Sequence, residues 1–454
     1  MSLMVSISGI RGVVGESLTP EVIVKYAAGF AEYCHRGTII VGRDGRVTGH
    51  SIAEIVIATL LQMGCNVVDL GICPTPTVGL AIEQRHAAGG IAITASHNPM
   101  IWNGLKFIGA SGMFLNAAEN KEFWSIADRG QFAYKAWNAQ GTLTRDPQFI
   151  HTHVRQVLEL PGIDTKRIAA RKLKVVVDAV NAAGGVIAPR LLRELGCEVI
   201  EMNCDVSGIF SHTPEPIPEN LIDLSARVIA EKADLGVAVD PDVDRLVLIT
   251  EEGKPFVEEY TIVSAAKFVL EAQARQGKTG HTVVVNLSTT RAVEDVAKEY
   301  GATVHRTPVG EINVASRMKQ LGSVVGGEGS GGVILPEVHL GRDAIVGIGL
   351  FLQLLADSGM KASALKASLP QYEIVKNKIE LGSLKPDEIL QRLHEKYART
   401  ETTNFDDGLK IDFPSSWVHL RKSNTEPIIR IIAEAKTREE AAALVERFQH
   451  EITG

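Results

Sequence analysis

The sequence predicts an α/β protein of three similar α/β domains with mixed, largely parallel sheets, followed by a smaller C-terminal α+β domain. Three observations carry this. A unit of strand, turn, helix, glycine and strand recurs three times along the chain. Its strands are unbroken runs of valine and isoleucine, which suit strands buried on both faces of a helix-covered parallel sheet. The end of the chain reads differently, as strands joined by a polar loop and closed by one amphipathic helix.

In the first copy, Thr38–Asp44 is a strand, Ser51–Met63 a helix ending at Gly64, and Cys65–Leu70 the next strand. In the second, Lys174–Asp178 leads to a helix near Val186–Leu195, Gly196 ends it, and Cys197–Met202 follows. In the third, Thr282–Asn286 leads to a helix near Thr290–Tyr300, then Gly301 and Ala302–His305. Each glycine stands where a helix C-cap needs a positive φ. A further strand follows each unit and runs into an unusual loop: Gly90–Pro99, Leu235–Arg245 and Ser323–Gly332. Ligands of open α/β sheets bind beyond the carboxyl ends of strands, so three equivalent loops would converge on one central cleft. Ala344–Ala356, interrupted by Gln353, is a buried helix; it falls short of the roughly 20 residues that cross a bilayer. Trp417–Arg421 and Pro427–Ala433 read as strands and Thr437–Ile452 as a helix, with Gln371–Asp387 as the crossing into this last domain. The predicted domains are 1–150, 151–255, 256–370 and 371–454.

Composition bounds the function. With 454 residues, 45% hydrophobic and 22% charged, the chain buries several cores and is not disordered. Lys+Arg 47 against Asp+Glu 54 gives a net charge of −7, which argues against general binding to nucleic acid or an acidic membrane. The five cysteines form no CxxC pair, which fits reduced thiols in the cytoplasm and not a disulfide framework or a zinc site. No basic stretch followed by an apolar core opens the chain, so a cytoplasmic monomer or homodimer is expected.

The loops carry the chemistry. Ser96, with His97 beside it, follows a buried strand; its hydroxyl is placed to act as a nucleophile or to carry a phosphoryl group. The alternative is an ordinary turn serine. Asp240, Asp242 and Asp244 alternate, so extended backbone turns all three carboxylates one way. Oxygen-only ligands select Mg²⁺ or Ca²⁺. An EF-hand is rejected, because its sixth position needs glycine and here is Arg245; a solvated acidic turn is the alternative. The glycine-rich loop Gly326–Gly332 projects Glu328 and Ser330, a pair suited to sugar hydroxyls. Arg421, Ser423, Asn424 and Thr425, with Arg430 beyond them, combine guanidinium and hydroxyl groups as a phosphate site does, or form a plain hairpin. Arg11 and Lys106 are isolated cations that surface exposure alone could explain.

Taken in order, these loops resemble those of the α-D-phosphohexomutase family over essentially the whole chain. Thr94-Ala-Ser-His-Asn-Pro99 is similar to its phosphoserine loop and Asp240-Pro-Asp-Val-Asp-Arg245 to its Mg²⁺ loop. Gly327-Glu-Gly-Ser-Gly331 is similar to its sugar-recognition loop and Arg421-Lys-Ser-Asn-Thr-Glu-Pro427 to its phosphate-binding loop. The resemblance implies four domains around a central cleft and a hexose monophosphate substrate. It implies Mg²⁺ bridging Ser96 to the three aspartates, and a hexose 1,6-bisphosphate as intermediate or activator. It places Arg11, Lys106 and Arg245 beside the reacting phosphate, with His97 in the catalytic group. Lys106 is a candidate acid/base if nearby cations depress its pKa. One departure stands out: some members carry histidine where this chain has Gly332. The segments Val309–Val314, Gly327–Ile334 and Ser8–Gly12 lean towards phosphoglucosamine mutase-like members, with phosphomannomutase/phosphoglucomutase as the alternative. A metal-dependent sugar phosphatase using Ser96 and a non-catalytic sugar-phosphate binder are the rivals from other classes.

Overall fold

Residues 2–381, 385–422 and 428–453 are described by the computed structural model of the chain. The valine-rich runs pair as the sequence predicts, and the three repeats share one strand order. The first sheet holds β1 (Met4–Ser6), β2 (Gly9–Val13), β3 (Ile39–Arg43), β4 (Val67–Ile72), β5 (Gly89–Ile93), β6 (Trp102–Gly109) and β7 (Leu143–Arg145), in the order β1-β2-β6-β5-β3-β4-β7. The second holds β8 (Lys174–Asp178), β9 (Glu198–Met202), β10 (Leu235–Val239) and β11 (Leu246–Thr250), in the order β11-β10-β8-β9. The third holds β12 (Thr282–Asn286), β13 (Thr303–Thr307), β14 (Val325–Glu328) and β15 (Gly332–Ile334), in the order β13-β12-β14-β15.

In each, three parallel strands end in an antiparallel return: β5 to β6, β10 to β11 and β14 to β15. The three loops singled out from the sequence are those returns, so they occupy equivalent places in their domains. The repeat helices run Gly49–Met63, Gly184–Glu194 and Ala292–Glu299. Gly64 closes the first at φ 90°, and Gly196 and Gly301 follow the others at φ 82° and 64°, conformations that cost a side-chain-bearing residue about 1 kcal/mol or more.

The fourth sheet is antiparallel throughout: β16 (Glu373–Glu380), β17 (Thr402–Asn404), β18 (Leu409–Asp412), β19 (Trp417–Lys422) and β20 (Ile428–Ala435), in the order β16-β20-β19-β18-β17. Here the sequence reading is corrected. Nearly half of the stretch taken as a crossing into this domain is β16, an edge strand paired with β20 along its whole length. Its Lys376-Asn377-Lys378 run looks like a loop, but charged residues are what an edge strand carries to blunt unwanted pairing.

One apolar core runs through the first three domains, from Ile40 to Tyr372, and the fourth domain has its own. The helix Ala344–Ser358 is buried along Ala344–Ala356, and Asp343 caps it by accepting from the N–H of Ile345 at 2.8 Å and Val346 at 3.3 Å. Asp343 also bonds His153 Nε2 at 2.7 Å, and His153 Nδ1 bonds Thr77 Oγ1 at 2.8 Å. One buried imidazole thereby ties the third domain to the first. Among the described residues no single helix is long and apolar enough to cross a membrane.

Candidate active site

The four domains meet around a cleft of about 360 Å³, whose walls include Arg11, Lys106, Arg245, Glu328, Ser330 and Arg421. Ser96 is buried, at φ 49°. Its Oγ donates to Asp240 Oδ2 at 3.1 Å and lies 3.3 Å from His97 Nδ1. A serine in the left-handed region needs its surroundings to hold it there. Arg46 does so from a fully buried position. Its Nη2 donates to the carbonyls of Ser96 (2.6 Å) and Asn98 (2.7 Å), its Nη1 to those of Pro99 (2.9 Å) and Trp102 (2.8 Å), and its Nε to Asp44 Oδ2 (3.1 Å). All five guanidinium donors are used. Arg11 Nη1 adds a bond to Asn98 Oδ1 at 3.1 Å. Burial, then Arg245 and Arg11, push the His97 pKa down to about 3, so this imidazole is neutral.

Asp240, Asp242 and Asp244 are buried, and one oxygen from each lies within 4.8 Å of the others. The turn between them puts Val243 at φ 61°, a strained place for a β-branched residue. Its N–H donates to the Asp240 carbonyl at 3.0 Å, and its carbonyl accepts from Ala344 N at 3.1 Å. Asp242 Oδ2 accepts from Lys106 Nζ and Thr75 Oγ1, both at 2.6 Å. Asp244 Oδ2 accepts from Arg342 Nη2 at 2.5 Å. Asp240 Oδ1 accepts from the N–H groups of Asp244 (3.1 Å) and Arg245 (3.2 Å). Asp242 Oδ1 and Asp244 Oδ1 are buried with no hydrogen-bond partner. An unpartnered buried carboxylate oxygen is costly, and two of them in an all-oxygen cluster fit a hard divalent cation.

Burial, followed by the charges of Asp244 and Asp242, raises the Asp240 pKa well above the ordinary carboxylate value. Burial works the same way on Asp242 and Asp244, but Lys106 and Thr75 together outweigh it at the first, and Arg342, Lys106 and Arg245 together at the second, so both are lowered. Lys106 answers the expectation drawn for it in the opposite sense. Burial favours its neutral form, yet Asp242 and Asp244 prevail, and its pKa is raised.

In the sugar-loop region, Glu328 Oε1 accepts from Asn286 Nδ2 at 2.8 Å and Gly310 N at 2.9 Å, and its Oε2 accepts from Arg342 Nη1 at 2.7 Å. Ser330 lines the cleft. In the fourth domain Arg421 reaches the cleft and pairs with Asp407 at 2.9 Å. Lys378, Arg430 and Arg421 are direct partners across β16, β20 and β19. Three cations in one cross-strand row repel one another unless an anion lies over them. Arg430 itself is exposed and stands outside the cleft wall. Ser423, Asn424 and Thr425 lie outside the described residues.

Sequence reading missed Arg46, Thr75 and Arg342. Arg46 lies just beyond β3, so the rule that sites gather at carboxyl ends of strands could have found it. Arg342 stands in Gly341-Arg342-Asp343 before the buried helix, and no spacing marks it.

Residues 4–134, 151–253 and 258–372 match the families described as phosphoglucomutase/phosphomannomutase alpha/beta/alpha domains I, II and III, and residues 375–451 match the C-terminal domain of the same series. A Methanopyrus kandleri protein named "Probable phosphoglucosamine mutase" is 38% identical, over 97% of this chain and 96% of that one. A Thermococcus kodakarensis protein named phosphoglucomutase/phosphomannomutase is 37% identical, over 96% of each. The crystal structure of a phosphoglucomutase/phosphomannomutase family protein from Burkholderia thailandensis superposes with a TM-score of 0.85 at 26% identity, covering 99% of this chain and 98% of that one.

Proposed function

The chain belongs to the phosphoglucomutase/phosphomannomutase family, and from that premise we propose that it interconverts hexose 6-phosphate and hexose 1-phosphate through a phosphoserine at Ser96, with glucosamine phosphate as the sugar. The observation that carries this is the hydroxyl of Ser96, 3.1 Å from Asp240 and joined through the aspartate triplet to Lys106, Arg245 and Arg342. Such a site holds a phosphoryl group among cations on a serine that its loop keeps in a strained conformation.

Phosphorylated Ser96 gives its phosphoryl group to the free hydroxyl of a bound hexose monophosphate. The P–O bond to Oγ breaks as the bond to the sugar oxygen forms, and the proton that the sugar hydroxyl gives up is balanced by the one that Oγ takes on. The 1,6-bisphosphate turns over in the cleft, and its other phosphoryl group returns to Ser96. Catalysis here is positioning and charge neutralisation. Ser96, Asp240, Asp242 and Asp244 would hold Mg²⁺, which supplies a positive charge against the transferring oxygens. Lys106, held protonated by Asp242 and Asp244, serves as a cation and a proton donor near Oγ. Arg11 and Arg245 flank the same oxygens, and neutral His97 accepts or gives a hydrogen bond at Oγ. Arg421, with Ser423, Asn424 and Thr425, grips the phosphate that is not reacting, Arg430 adds its charge from the adjacent strand, and Glu328 and Ser330 meet the sugar.

Glu259, Glu311 and Glu328 line the cleft, paired with Lys376 and Arg342, and Glu328 in the sugar loop is the carboxylate offered to the ammonium of a 2-amino sugar. The Methanopyrus kandleri relative carries the corresponding name. The Thermococcus kodakarensis relative favours a second reading, mannose or glucose phosphate. We place the enzyme in the cytoplasm as a monomer or homodimer, with no nucleic-acid or membrane partner.

The test is product analysis with the 6-phosphates of glucosamine, mannose and glucose, beside intact-mass measurement. The expected result is the 1-phosphate isomer, made fastest from glucosamine, and a phosphate on the active protein that Ser96→Ala lacks along with nearly all activity. Free phosphate as the product would make the protein a phosphatase, and full activity in Ser96→Ala would remove the phosphoserine.

A further inference from the structure

Arg342 makes four hydrogen bonds in the site, to three carboxylates of two domains. Its Nη1 reaches Glu328 Oε2 at 2.7 Å, its Nη2 Asp244 Oδ2 at 2.5 Å, and its Nε Glu311 Oε2 at 3.1 Å. Its own N–H donates to Glu311 Oε1 at 3.1 Å. The next residue, Asp343, caps the buried helix and bonds His153, so the backbone that carries Arg342 is fixed. To reach these partners its stem runs past Gly332. A Cβ built on Gly332 would lie 2.3 Å from Arg342 Cδ and 3.0 Å from Cγ, and Arg342 supplies all three nearest atoms. The backbone of Gly332 is not in the left-handed region. Conformation therefore does not require glycine there, and the passage of the arginine does.

We propose that Arg342 is a positioning residue that locks the sugar loop to the metal loop, and that position 332 is glycine to let its side chain through. The proposal rests on the phosphohexomutase function given above. One rigid fork holds Asp244 by Oδ2, which leaves Oδ1 without a hydrogen bond, and holds Glu328 by Oε2. The group that meets the sugar and the group that borders the transferring phosphoryl are thereby set at one separation. The departure at Gly332 and the arginine ten residues later are two halves of one device. A lysine could not replace it, because an ammonium lacks the planar fork that serves three carboxylates at once.

The test is a double-mutant cycle of Gly332→Ala, Arg342→Ala and the pair, with Arg342→Lys beside it. Each is checked by thermal unfolding, and Arg342→Ser carries the cycle if Arg342→Ala does not fold. The expected result is a fall in kcat/KM of at least tenfold in Gly332→Ala and in Arg342→Ala, with no restoration by lysine. Adding Gly332→Ala to Arg342→Ala should change kcat/KM less than twofold, because the added methyl then has room. Mg²⁺ affinity by calorimetry should follow the same cycle, moving with Gly332→Ala only while Arg342 is present. An equal cost of Gly332→Ala in both backgrounds would mean that the glycine serves the strand alone and would overturn the proposal, as would wild-type kinetics in Gly332→Ala or in Arg342→Lys. The calorimetric cycle stands even if the wild-type protein makes no isomer, so failure of the functional reading is told apart from failure of this one.

Discussion

Replacing Arg46 by methionine tests what holds the reactive serine in place. The substitution keeps much of the side-chain volume and removes five donors. Asp44, fully buried, then loses its ion partner and keeps only Thr94 Oγ1 at 2.7 Å and the N–H of residue 46 at 3.0 Å. Breaking a buried pair by removing one partner costs about 3–5 kcal/mol. The four carbonyls of Ser96, Asn98, Pro99 and Trp102 lose their shared donor as well. The left-handed conformation of Ser96 adds about 1–2 kcal/mol that pushes the same way. The damage is local to the loop, so hydrogen exchange by mass spectrometry is the assay. About 3 kcal/mol corresponds to roughly a hundredfold faster exchange in a peptide spanning 94–104, at about 1.4 kcal/mol per tenfold. The C-terminal helix Arg438–Thr453 is the internal control and should not change. Arg46→Lys restores a charge beside Asp44 without the fork and should fall between the two. Mutase activity should drop at least tenfold in Arg46→Met. Loop protection within threefold of wild type, with unchanged kcat, would refute the assignment of Arg46 as the clamp.

Three further outcomes are expected. Asp242→Asn should weaken Mg²⁺ binding, because a hard anionic ligand becomes a neutral amide; chelation should abolish wild-type activity and Mg²⁺ restore it, and activity surviving exhaustive chelation would contradict the metal assignment. Arg421→Ala should lower kcat/KM for every accepted sugar about ten- to a hundredfold, the loss of one charge-assisted contact, whereas Glu328→Gln should shift the ratio between glucosamine and glucose substrates. His419, between Ser288 Oγ (2.8 Å) and the Asp407 carbonyl (2.7 Å), has its pKa pushed down to about 4, chiefly by burial. The unfolded chain takes up that proton near pH 6.5, so its stabilisation is present above pH 6.5 and is lost as pH falls towards 4. Urea midpoints at pH 7 and pH 4.5 should therefore fall further in wild type than in His419→Gln, and equal losses would count against the buried neutral imidazole.

What the sequence made legible was local. Valine runs and the stops at Gly64, Gly196 and Gly301 mark strands and helix ends because those signals lie within a few residues. The three loops were readable because each follows such a strand directly. The antiparallel returns β6 and β15 carry no comparable mark: Asn103-Gly-Leu-Lys106 and Gly332-Val-Ile334 read as loop cations and the tail of a glycine-rich turn. Arg342 was illegible for a different reason. Its partners Asp244 and Glu328 come from β-returns of two domains, the first of them 98 residues away, and only domain packing brings them to one guanidinium. Lys106 reverses sign for the same reason. Read beside Arg11 and Arg245 its pKa should fall, but the fold sets its ammonium 2.6 Å from Asp242 and 3.6 Å from Asp244, and the nearer charges decide.

The charges of the metal loop explain why three domains must meet before the site exists. Asp240, Asp242 and Asp244 bring three carboxylates into a buried turn of the second domain. That domain supplies one neighbouring cation, Arg245, 3.7 Å from Asp244. Lys106 comes from the first domain and Arg342 from the third. Three cations then stand against the three aspartates, Arg342 being shared with Glu311 and Glu328, and removing either neighbouring domain leaves a buried carboxylate without its ion partner. On the proposed function, a divalent cation and a phosphoryl group of about −2 enter this balance as a matched pair and leave it unchanged. Either alone would upset it. Asp240, bonded to the Ser96 hydroxyl, sits where that pair arrives, and the divalent cation would offset the burial and the neighbouring aspartates that raise its pKa.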